Sequence, residues 1–222
     1  MIKLETIIEQ WHTKCIIFDL DGTLVDTLDK HIEAFMILFK ELKIYIEEEK
    51  IAENMGRTPK DTLLTLLPEL NDDKDRLVNY AEKKEEILTG LLDETECFIG
   101  AFELLTKVRS LGLTIALASS TPKYNVEKML RSAGIFEFFD AIVTGEDITV
   151  GKPNPEVFLK AAKKANCPIE NCFVIGDSPH DIEAAKNAHM KIVAVKTGKH
   201  TEKQLKQKKP EIIIDYLDGL LE

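Results

Sequence analysis

The chain has 222 residues, of which 44% are hydrophobic and 31% are charged, and its formal net charge is -10. This length accommodates one large domain, or a core with a small inserted unit, and either can bury a substantial core. The negative charge disfavours binding to nucleic acid or to an anionic membrane surface, and no apolar run approaches the roughly 18 residues that suggest a membrane span. We therefore expect a soluble globular protein that binds neither.

Cysteine content and the first residues bear on the cellular compartment. The cysteines are too few and too scattered to predict a disulfide framework, and no Cys-x-x-Cys or paired Cys/His spacing suggests zinc. We expect them to be reduced and mostly buried as small apolar residues. Residues 1–12 lack the basic start, apolar middle and cleavage site of a secretory signal, so we expect a cytoplasmic protein in which this segment forms a short helix on the core. The four cysteines are Cys15, Cys97, Cys167 and Cys172.

Six short apolar runs recur along the chain, and most of them end in polar or small residues. Continuous apolar strands that alternate with helices indicate a parallel sheet covered on both faces. Ligands of such sheets bind at the carboxyl ends of the strands, which is where the polar residues fall. The predicted strands are residues 15–18, 113–118, 141–143, 173–175, 192–195 and 212–214, and the predicted helices are 102–110, 123–133, 156–165 and 179–188.

The segment of residues 27–96 breaks this alternation. Its apolar residues recur at a helical period, as Ile32 and Phe39 do, and no part of it alternates as a strand does. We therefore predict an α/β core domain made of residues 1–26 and 97–222, with an inserted α-helical cap domain above the strand ends.

The strongest chemical signal is Asp-Leu-Asp-Gly-Thr at residues 19–23, directly after the first predicted strand. Asp19 and Asp21 stand two positions apart on a turning loop and can converge on one bound group, while Gly22 lets the backbone approach an anion. This pattern suits a nucleophile paired with a general acid. A calcium loop would carry glycine at its sixth position and an acid at its twelfth, where this chain has Lys30. These five residues alone do not exclude the alternative interpretation, a polar turn without function.

A second acidic stretch, Gly-Asp-Ser-Pro-His-Asp at residues 176–181, also follows a predicted strand. Asp177 would bring another oxygen ligand toward Asp19, and magnesium prefers a few carboxylates together with retained waters. Without a cation, such convergent acids would repel one another. On its own the stretch is equally typical of a helix start, with Asp or Ser before a proline at the first helical position.

A lysine and a serine complete the polar groups at the strand ends. Lys152 stands in Gly-Lys-Pro-Asn-Pro, whose prolines stiffen the loop so that the ammonium can hold a phosphate and offset the acids. The hydroxyl of Ser119 and the neighbouring amides can bind phosphate oxygens. Taken singly, the Lys152 segment is more typical of a surface lysine, and Ser119 is more typical of a turn residue. Together with the two acidic stretches they indicate one site.

This set of motifs resembles the haloacid dehalogenase superfamily, in the phosphatase and phosphomutase branch that carries an α-helical cap. The resemblance implies a Rossmann-like, doubly wound parallel sheet as the core, with an inserted helical bundle as the cap. It spans about residues 14–197. The residues that carry it are Asp-Leu-Asp-Gly-Thr-Leu-Val-Asp-Thr at 19–27, Ser119, Lys152 within Gly-Lys-Pro-Asn-Pro, and Gly-Asp-Ser at 176–178 with Asp181.

The resemblance also implies a role for each residue. Asp19 would be the nucleophile and Asp21 the general acid and base. Mg²⁺ would be held by the Asp19 carboxylate, the backbone carbonyl of Asp21, and Asp177, with Asp181 and Thr23 in support. An aspartate at position 21 argues against the dehalogenase members, which need no such acid. The phosphate would be bound by Ser119, Lys152, Leu20, Gly22 and Ser120.

Three cap residues are candidates for contact with the leaving group: His31, Arg57 and Lys60. His31 is equally interpreted as a helix residue that holds the hinge. Arg57 follows Gly56 at a helix-breaking position that could face the active site, although an exposed arginine is the more ordinary interpretation.

On this basis we predict a monomeric, magnesium-dependent phosphatase that hydrolyses a small phosphorylated metabolite through an aspartyl-phosphate on Asp19. Phosphoglycolate, a sugar phosphate, a nucleotide or pyrophosphate would all suit the core. A phosphomutase resembling β-phosphoglucomutase is the first alternative, because His31 matches that group's hinge pattern. Against it, Gly176 stands where those mutases have Glu, and Pro59 replaces an expected arginine. A non-catalytic phosphate-binding or regulatory protein is the second, although every expected chemical group is present.

Overall fold

A six-stranded parallel sheet forms the centre of the protein. The computed structural model describes residues 3–221. The strands lie in the order β3-β2-β1-β4-β5-β6, and every neighbouring pair is parallel. The predicted α/β class, its parallel sheet and all six predicted strands are confirmed. The strands are Cys15–Phe18 (β1), Thr114–Ala118 (β2), Ala141–Val143 (β3), Cys172–Gly176 (β4), Lys191–Val195 (β5) and Ile212–Ile214 (β6).

Helices cover both faces of the sheet and also form a separate bundle. Two apolar clusters fill the two faces of the sheet, because strands such as β1 and β4 are buried along their whole length. Within residues 3–221, no helix combines the length and the apolar character that crossing a membrane requires. The α-helices are Leu4–Trp11 (α1), Leu28–Glu41 (α2), Glu48–Ala52 (α3), Pro59–Leu66 (α4), Lys74–Leu91 (α5), Ala101–Ser110 (α6), Lys123–Ser132 (α7), Glu156–Lys164 (α8), Pro179–Asn187 (α9) and Glu202–Gln207 (α10).

The strand order reverses at β1, and this reversal creates the binding crevice. The chain proceeds from β1 to β2 and β3 on one side, and then crosses over to β4, β5 and β6 on the other. Open α/β sheets bind ligands at the carboxyl ends of the strands that flank such a switch point. Phe18 of β1 aligns with Ile175 of β4, so Asp19 and Asp177 leave these neighbouring strands one position apart in register.

The bundle of α2 to α5 interrupts the chain between β1 and β2. Its helices enclose a third apolar cluster that includes Phe35, Leu63 and Leu70. The segments that enter and leave the bundle pair with each other: the Asp26 amide donates to the Glu96 carbonyl and the Phe98 amide to the Leu24 carbonyl, at 3.0 and 2.9 Å. The division into core and cap at residues 27 and 96 stays a prediction, and this pairing supports its boundaries.

Helix α1 packs against the sheet, as expected for the first residues of the chain. Leu4 and Ile7 are buried in the core cluster, at 0% and 1% exposed. The ring of Trp11 meets Phe173 of β4 edge to face at 5.2 Å between centroids. The helix is therefore part of the core.

Replacing Ile7 with alanine should lower the free energy of unfolding by about 2–5 kcal/mol, because it opens a cavity under α1. Thr6→Ala, at the preceding exposed position, is the matched control and should change it by less than about 0.5 kcal/mol. Urea unfolding of both variants measures the difference. Equal effects would mean that α1 does not pack on the sheet in solution.

Candidate active site

Every predicted core residue of the site lies at the carboxyl edge of the sheet. Asp19 and Asp21 follow β1, Ser119 and Ser120 follow β2, and Asp177 follows β4. The loop between β3 and α8 adds Lys152, and the start of α9 adds Asp181. The fold thus brings together groups separated by up to about 160 positions in the sequence, because parallel strands deliver their carboxyl ends to one edge.

The turn after β1 depends on a glycine. Gly22 has φ of 83°, in the left-handed region. A Cβ there would lie 2.6 Å from Leu28 Cδ1 and 2.7 Å from Asp177 Oδ2. The carbonyl of Leu20 accepts the amides of Thr23, Leu24 and Val25 and so closes the turn. Leu20 and Gly22, predicted as phosphate-binding positions, therefore shape the loop that carries both acids.

Lys152 is the central cation of the site. Its Nζ lies 2.5 Å from Asp19 Oδ1 and 2.7 Å from Asp181 Oδ1, and its side chain is fully buried. Burial lowers the pKa of Lys152, but the charges of Asp181 and Asp19 outweigh it and hold that pKa above its usual value. Burial raises the pKa of Asp19 to about 7, against the lowering effect of Lys152. Lys152 is thus a fixed positive charge in contact with the predicted nucleophile.

Three carboxylates converge beside this lysine. Oxygens of Asp19, Asp177 and Asp181 lie within 4.8 Å of one another, and all three residues are buried. Burial and the charges of Asp181 and Asp19 raise the pKa of Asp177 well above its usual range. A hard divalent cation would relieve this repulsion, and carboxylate oxygens are its preferred ligands. The residues present therefore fit a divalent metal ion such as Mg²⁺.

Neighbouring side chains and backbone pack closely against these three carboxylates. The Thr23 hydroxyl donates to Asp177 Oδ1 at 2.9 Å, and a Cβ at Gly198, after β5, would overlap Asp177 Oδ2. Asp181 Oδ2 accepts the amide and hydroxyl of Ser178, in a capping box that starts α9. The helix-start interpretation of residues 176–181 is therefore confirmed, and the same residues also contribute to the acid cluster.

Asp21 has a different environment from Asp19. Its Oδ1 lies 2.5 Å from the donating Thr27 hydroxyl and 3.0 Å from His31 Nε2, and its Oδ2 accepts the Thr121 hydroxyl at 2.8 Å. Burial raises the pKa of Asp21, but His31 and the two threonine hydroxyls outweigh it and hold that pKa below its usual range. Its carboxylate is not one of the three that converge beside Lys152, which is compatible with the predicted metal contact through its backbone carbonyl.

The two serines after β2 make different contacts. The Ser119 hydroxyl accepts the Thr121 amide at 3.0 Å and lies 3.5 Å from Asp21 Oδ2. The Ser120 hydroxyl donates to the carbonyl of Gly56 at 3.0 Å and so connects the core to the helical bundle. Ser119 thus borders the pair of acids, whereas the Ser120 side chain contacts the bundle.

The three cap candidates lie in different places. His31 contacts Asp21 directly. Arg57 lines the same small enclosed cavity as Asp19 and Asp21, and donates to Asn54 and Thr65. Lys60 is exposed and lines a larger, adjoining cavity of about 590 Å³, which shares Pro59 and Ser120 with the first. His31 and Arg57 therefore line the cavity at the acids, whereas Lys60 lines only the adjoining one.

Three residues of the site were not singled out from the sequence. Thr27 and Thr121 donate to Asp21, and Lys84 of α5 is 0% exposed with its Nζ 2.9 Å from His31 Nδ1 and 2.8 Å from Glu85 Oε1. Thr27 is the last residue of the nine-residue motif that begins at Asp19, so its place in that motif could have identified it as a site residue. Lys84 stands in Glu-Lys-Lys-Glu-Glu, which is typical of a solvated helix face.

Comparisons with known proteins agree with this geometry. The haloacid dehalogenase-like hydrolase family matches residues 16–195. The phosphorylated carbohydrates phosphatase of Thermotoga maritima is 33% identical, over 79% of this chain and 81% of its own length. The pyrophosphatase PpaX of Halalkalibacterium halodurans is 29% identical, over 93% of this chain and 94% of its own.

A solved structure of β-phosphoglucomutase from Clostridium difficile superimposes with a TM-score of 0.82 and 30% identity, covering 94% of this chain and 93% of that one. Because the family match covers most of the chain and includes both acidic stretches, the chain belongs to the haloacid dehalogenase-like hydrolase family, in its phosphatase and phosphomutase branch.

Proposed function

We propose that the protein is a magnesium-dependent phosphatase that hydrolyses a small phosphate monoester through an aspartyl-phosphate on Asp19. The observation that carries the proposal is the position of Asp19. Its buried carboxylate contacts Lys152 and belongs to a cluster of three acids. A nucleophile that must approach an anionic phosphoryl group needs such adjacent positive charge.

The metal would be held by the carboxylates of Asp19 and Asp177 and by the backbone carbonyl of Asp21. When bound, the ion neutralises charge on the phosphoryl oxygens. Asp181 contributes indirectly, because its carboxylate lies 2.7 Å from the Lys152 ammonium and holds it beside Asp19. Asp181 is thus a positioning residue.

The reaction takes two displacements. Lys152 and Ser119 bind the phosphoryl oxygens while an Asp19 oxygen attacks phosphorus in line with the departing alkoxide. The P–O bond to the alkoxide breaks as the bond to Asp19 forms, and Asp21 donates the proton that the alkoxide takes up. Asp21, now a carboxylate, then removes a proton from water, whose oxygen attacks phosphorus and releases Asp19 and inorganic phosphate.

This scheme requires Asp21 to change its contacts during the cycle. Thr27 and His31, which stabilise its ionised form, precede or belong to α2, the first helix of the bundle. An acid held ionised by these donors must lose some of them before it can carry a proton to the leaving group. Movement of the bundle would therefore change the protonation of Asp21, in addition to excluding water.

The enclosed site favours a small substrate. Contacts such as Ser120 to Gly56, and His200 Nε2 to the Glu53 carbonyl at 3.4 Å, close the bundle over the strand ends. The relatives carry the names of a carbohydrate phosphate phosphatase and of a pyrophosphatase, which supports a small phosphorylated metabolite without fixing its leaving group.

A phosphomutase is the second candidate, because the β-phosphoglucomutase superposition covers nearly the whole chain. Position 176 favours hydrolysis. A Cβ at Gly176 would lie 2.7 Å from the Cβ and Cγ atoms of Asp181, so a glutamate there would displace the partner of Lys152.

Asp19→Asn should reduce phosphate release by at least about 10³-fold, because the amide cannot form the phosphoenzyme. A chelator should abolish release by the wild type, and Mg²⁺ should restore it. Asp29→Asn, an exposed carboxylate of α2 paired with Lys199, is the control and should keep the wild-type rate. Initial rates on phosphoglycolate, hexose phosphates, nucleotides and pyrophosphate measure this. Turnover that persists in Asp19→Asn would refute the proposal, and glucose 1-phosphate isomerised without phosphate release would favour the mutase.

Asp21→Asn should slow hydrolysis of an alkyl phosphate by about 10²–10⁴-fold, because the alkoxide leaves without a proton. With p-nitrophenyl phosphate, whose leaving group needs no proton, it should release one rapid equivalent of nitrophenolate per enzyme and then turn over slowly, because dephosphorylation has lost its base. Stopped-flow absorbance records the burst. Equal losses on both substrates without a burst would show that Asp21 is not the acid and base.

Gly198→Ala should raise the Mg²⁺ concentration for half-maximal activity by at least about tenfold, because the new methyl group displaces the Asp177 carboxylate. Gly90→Ala, on α5 with open space around it, is the matched control and should leave this concentration unchanged. Mg²⁺ titrations of the initial rate measure both variants. An unchanged Mg²⁺ requirement in Gly198→Ala would argue against Asp177 as a ligand.

A further inference from the structure

Three of the four cysteines meet at the edge of the sheet opposite the active site. Cys15 is the first residue of β1 and Cys172 the first of β4, and the two are aligned across these neighbouring strands. Both side chains lie on the face covered by α8 and α9. Cys167, in the turn after α8, joins them, and the three Sγ atoms lie within 4.8 Å of one another.

The turn that carries Cys167 is well fixed. Asn166 ends α8 in the left-handed conformation, with φ of 52°, and the Cys167 amide donates to the Ala162 carbonyl at 3.0 Å. The Asn171 amide donates to the Pro168 carbonyl at 3.0 Å and holds the far end of the loop. The three sulfurs therefore belong to an ordered arrangement.

The distances suit one bound ion. Three sulfurs that each lie about 2.3 Å from a common metal are about 3.8–4.0 Å apart, which small side-chain rotations can reach from the observed spacing. The cluster holds sulfur alone, without carboxylate or imidazole, and this donor set selects soft cations over Mg²⁺ or Ca²⁺. Cys15 and Cys172 are 0% and 6% exposed, and the partly exposed Cys167 offers a route from solvent.

We propose that Cys15, Cys167 and Cys172 form a binding site for a thiophilic d¹⁰ cation of the Zn²⁺ or Cu⁺ class, separate from the active site. Each thiol that binds loses its proton to solvent as its sulfur–metal bond forms. No atom changes its oxidation state.

The cluster is also remote from the predicted nucleophile. Because β1 is four residues long, the site lies about 13 Å from Asp19, so the bound ion should act on stability and leave the chemistry unchanged.

The test is a titration of the reduced, full-length protein with Cd²⁺ under argon and in excess Mg²⁺, followed by the ultraviolet charge-transfer band that only cadmium–thiolate bonds produce. We expect saturation at one equivalent with the intensity of three thiolates, a raised melting temperature, and displacement of Cd²⁺ by Cu⁺. Cys97→Ser is the matched control, since Cys97 lies elsewhere and donates to the Ala133 carbonyl, and it should titrate as the wild type does.

Cys167→Ser should lose about a third of the band and bind at least about tenfold more weakly. Cys167→Ala should behave in the same way, and metal-free melting temperatures of both variants show that they fold. Absence of the band in the wild type, a band unchanged in both folded Cys167 variants, or a band lost in Cys97→Ser would each overturn the proposal. Hydrolysis of p-nitrophenyl phosphate in the same samples is independent of these outcomes.

Discussion

The confinement of like charges at the carboxyl edge of the sheet is the constraint on which the rest of the site depends. Asp19, Asp177 and Asp181 are at most 3% exposed, and Lys152 is 1% exposed among them. Three carboxylates and one ammonium leave two negative charges, which is the charge that one divalent cation would balance. Buried charges are tolerated only when they are paired, and without the metal this balance falls on protons, as the raised pKa values of Asp19 and Asp177 indicate. With such an ion and Lys152 in place, the carboxylates could stay ionised, and Asp19 would then be available for the nucleophilic role that we propose.

The two acids of the first motif, Asp19 and Asp21, lie in different surroundings, as the roles that we propose for them require. Asp19 faces the acid cluster and its pKa rises to about 7, whereas Asp21 faces hydrogen-bond donors that lower its pKa. Such divergence is how neighbouring carboxyl groups acquire different roles. The donors to Asp21 come from both parts of the chain, with Thr121 from the core and His31 from the bundle. Lys84 contacts the other ring nitrogen of His31, which extends the connection from Asp21 to α5. The position of the bundle and the proton on Asp21 are therefore linked.

The sequence predicted the sheet well because its strands are buried on both faces and appear as continuous apolar runs. It also predicted which residues gather at the strand ends, since parallel strands place all their carboxyl ends at one edge. It could not predict Lys84, because a charged helix segment gives no sign that one of its lysines is fully buried against Phe35. Nor could it group Cys15 with Cys167 and Cys172, since that contact depends on the register of β1 against β4 and on the turn after α8. In both cases the position of the side chain is decided by contacts between segments that are distant in the sequence, and a local pattern does not report such contacts.

At three positions around the acids, the backbone approaches so closely that there is no room for a side chain. A Cβ at Gly22 or at Gly198 would meet Asp177, and one at Gly176 would meet Asp181. These positions lie on three different segments, so peptide groups form part of the wall around the acids, beside the side chains of Thr23 and Lys152. Peptide groups bring hydrogen-bond donors close to bound oxygen atoms, and a rigid backbone fixes where each carboxylate can point. The glycine at position 176 therefore has a chemical consequence. It leaves Asp181 free to hold Lys152 against Asp19, whereas a longer side chain at this position of β4 would compete for that space. The hydrolysis that we propose depends on this steric limit.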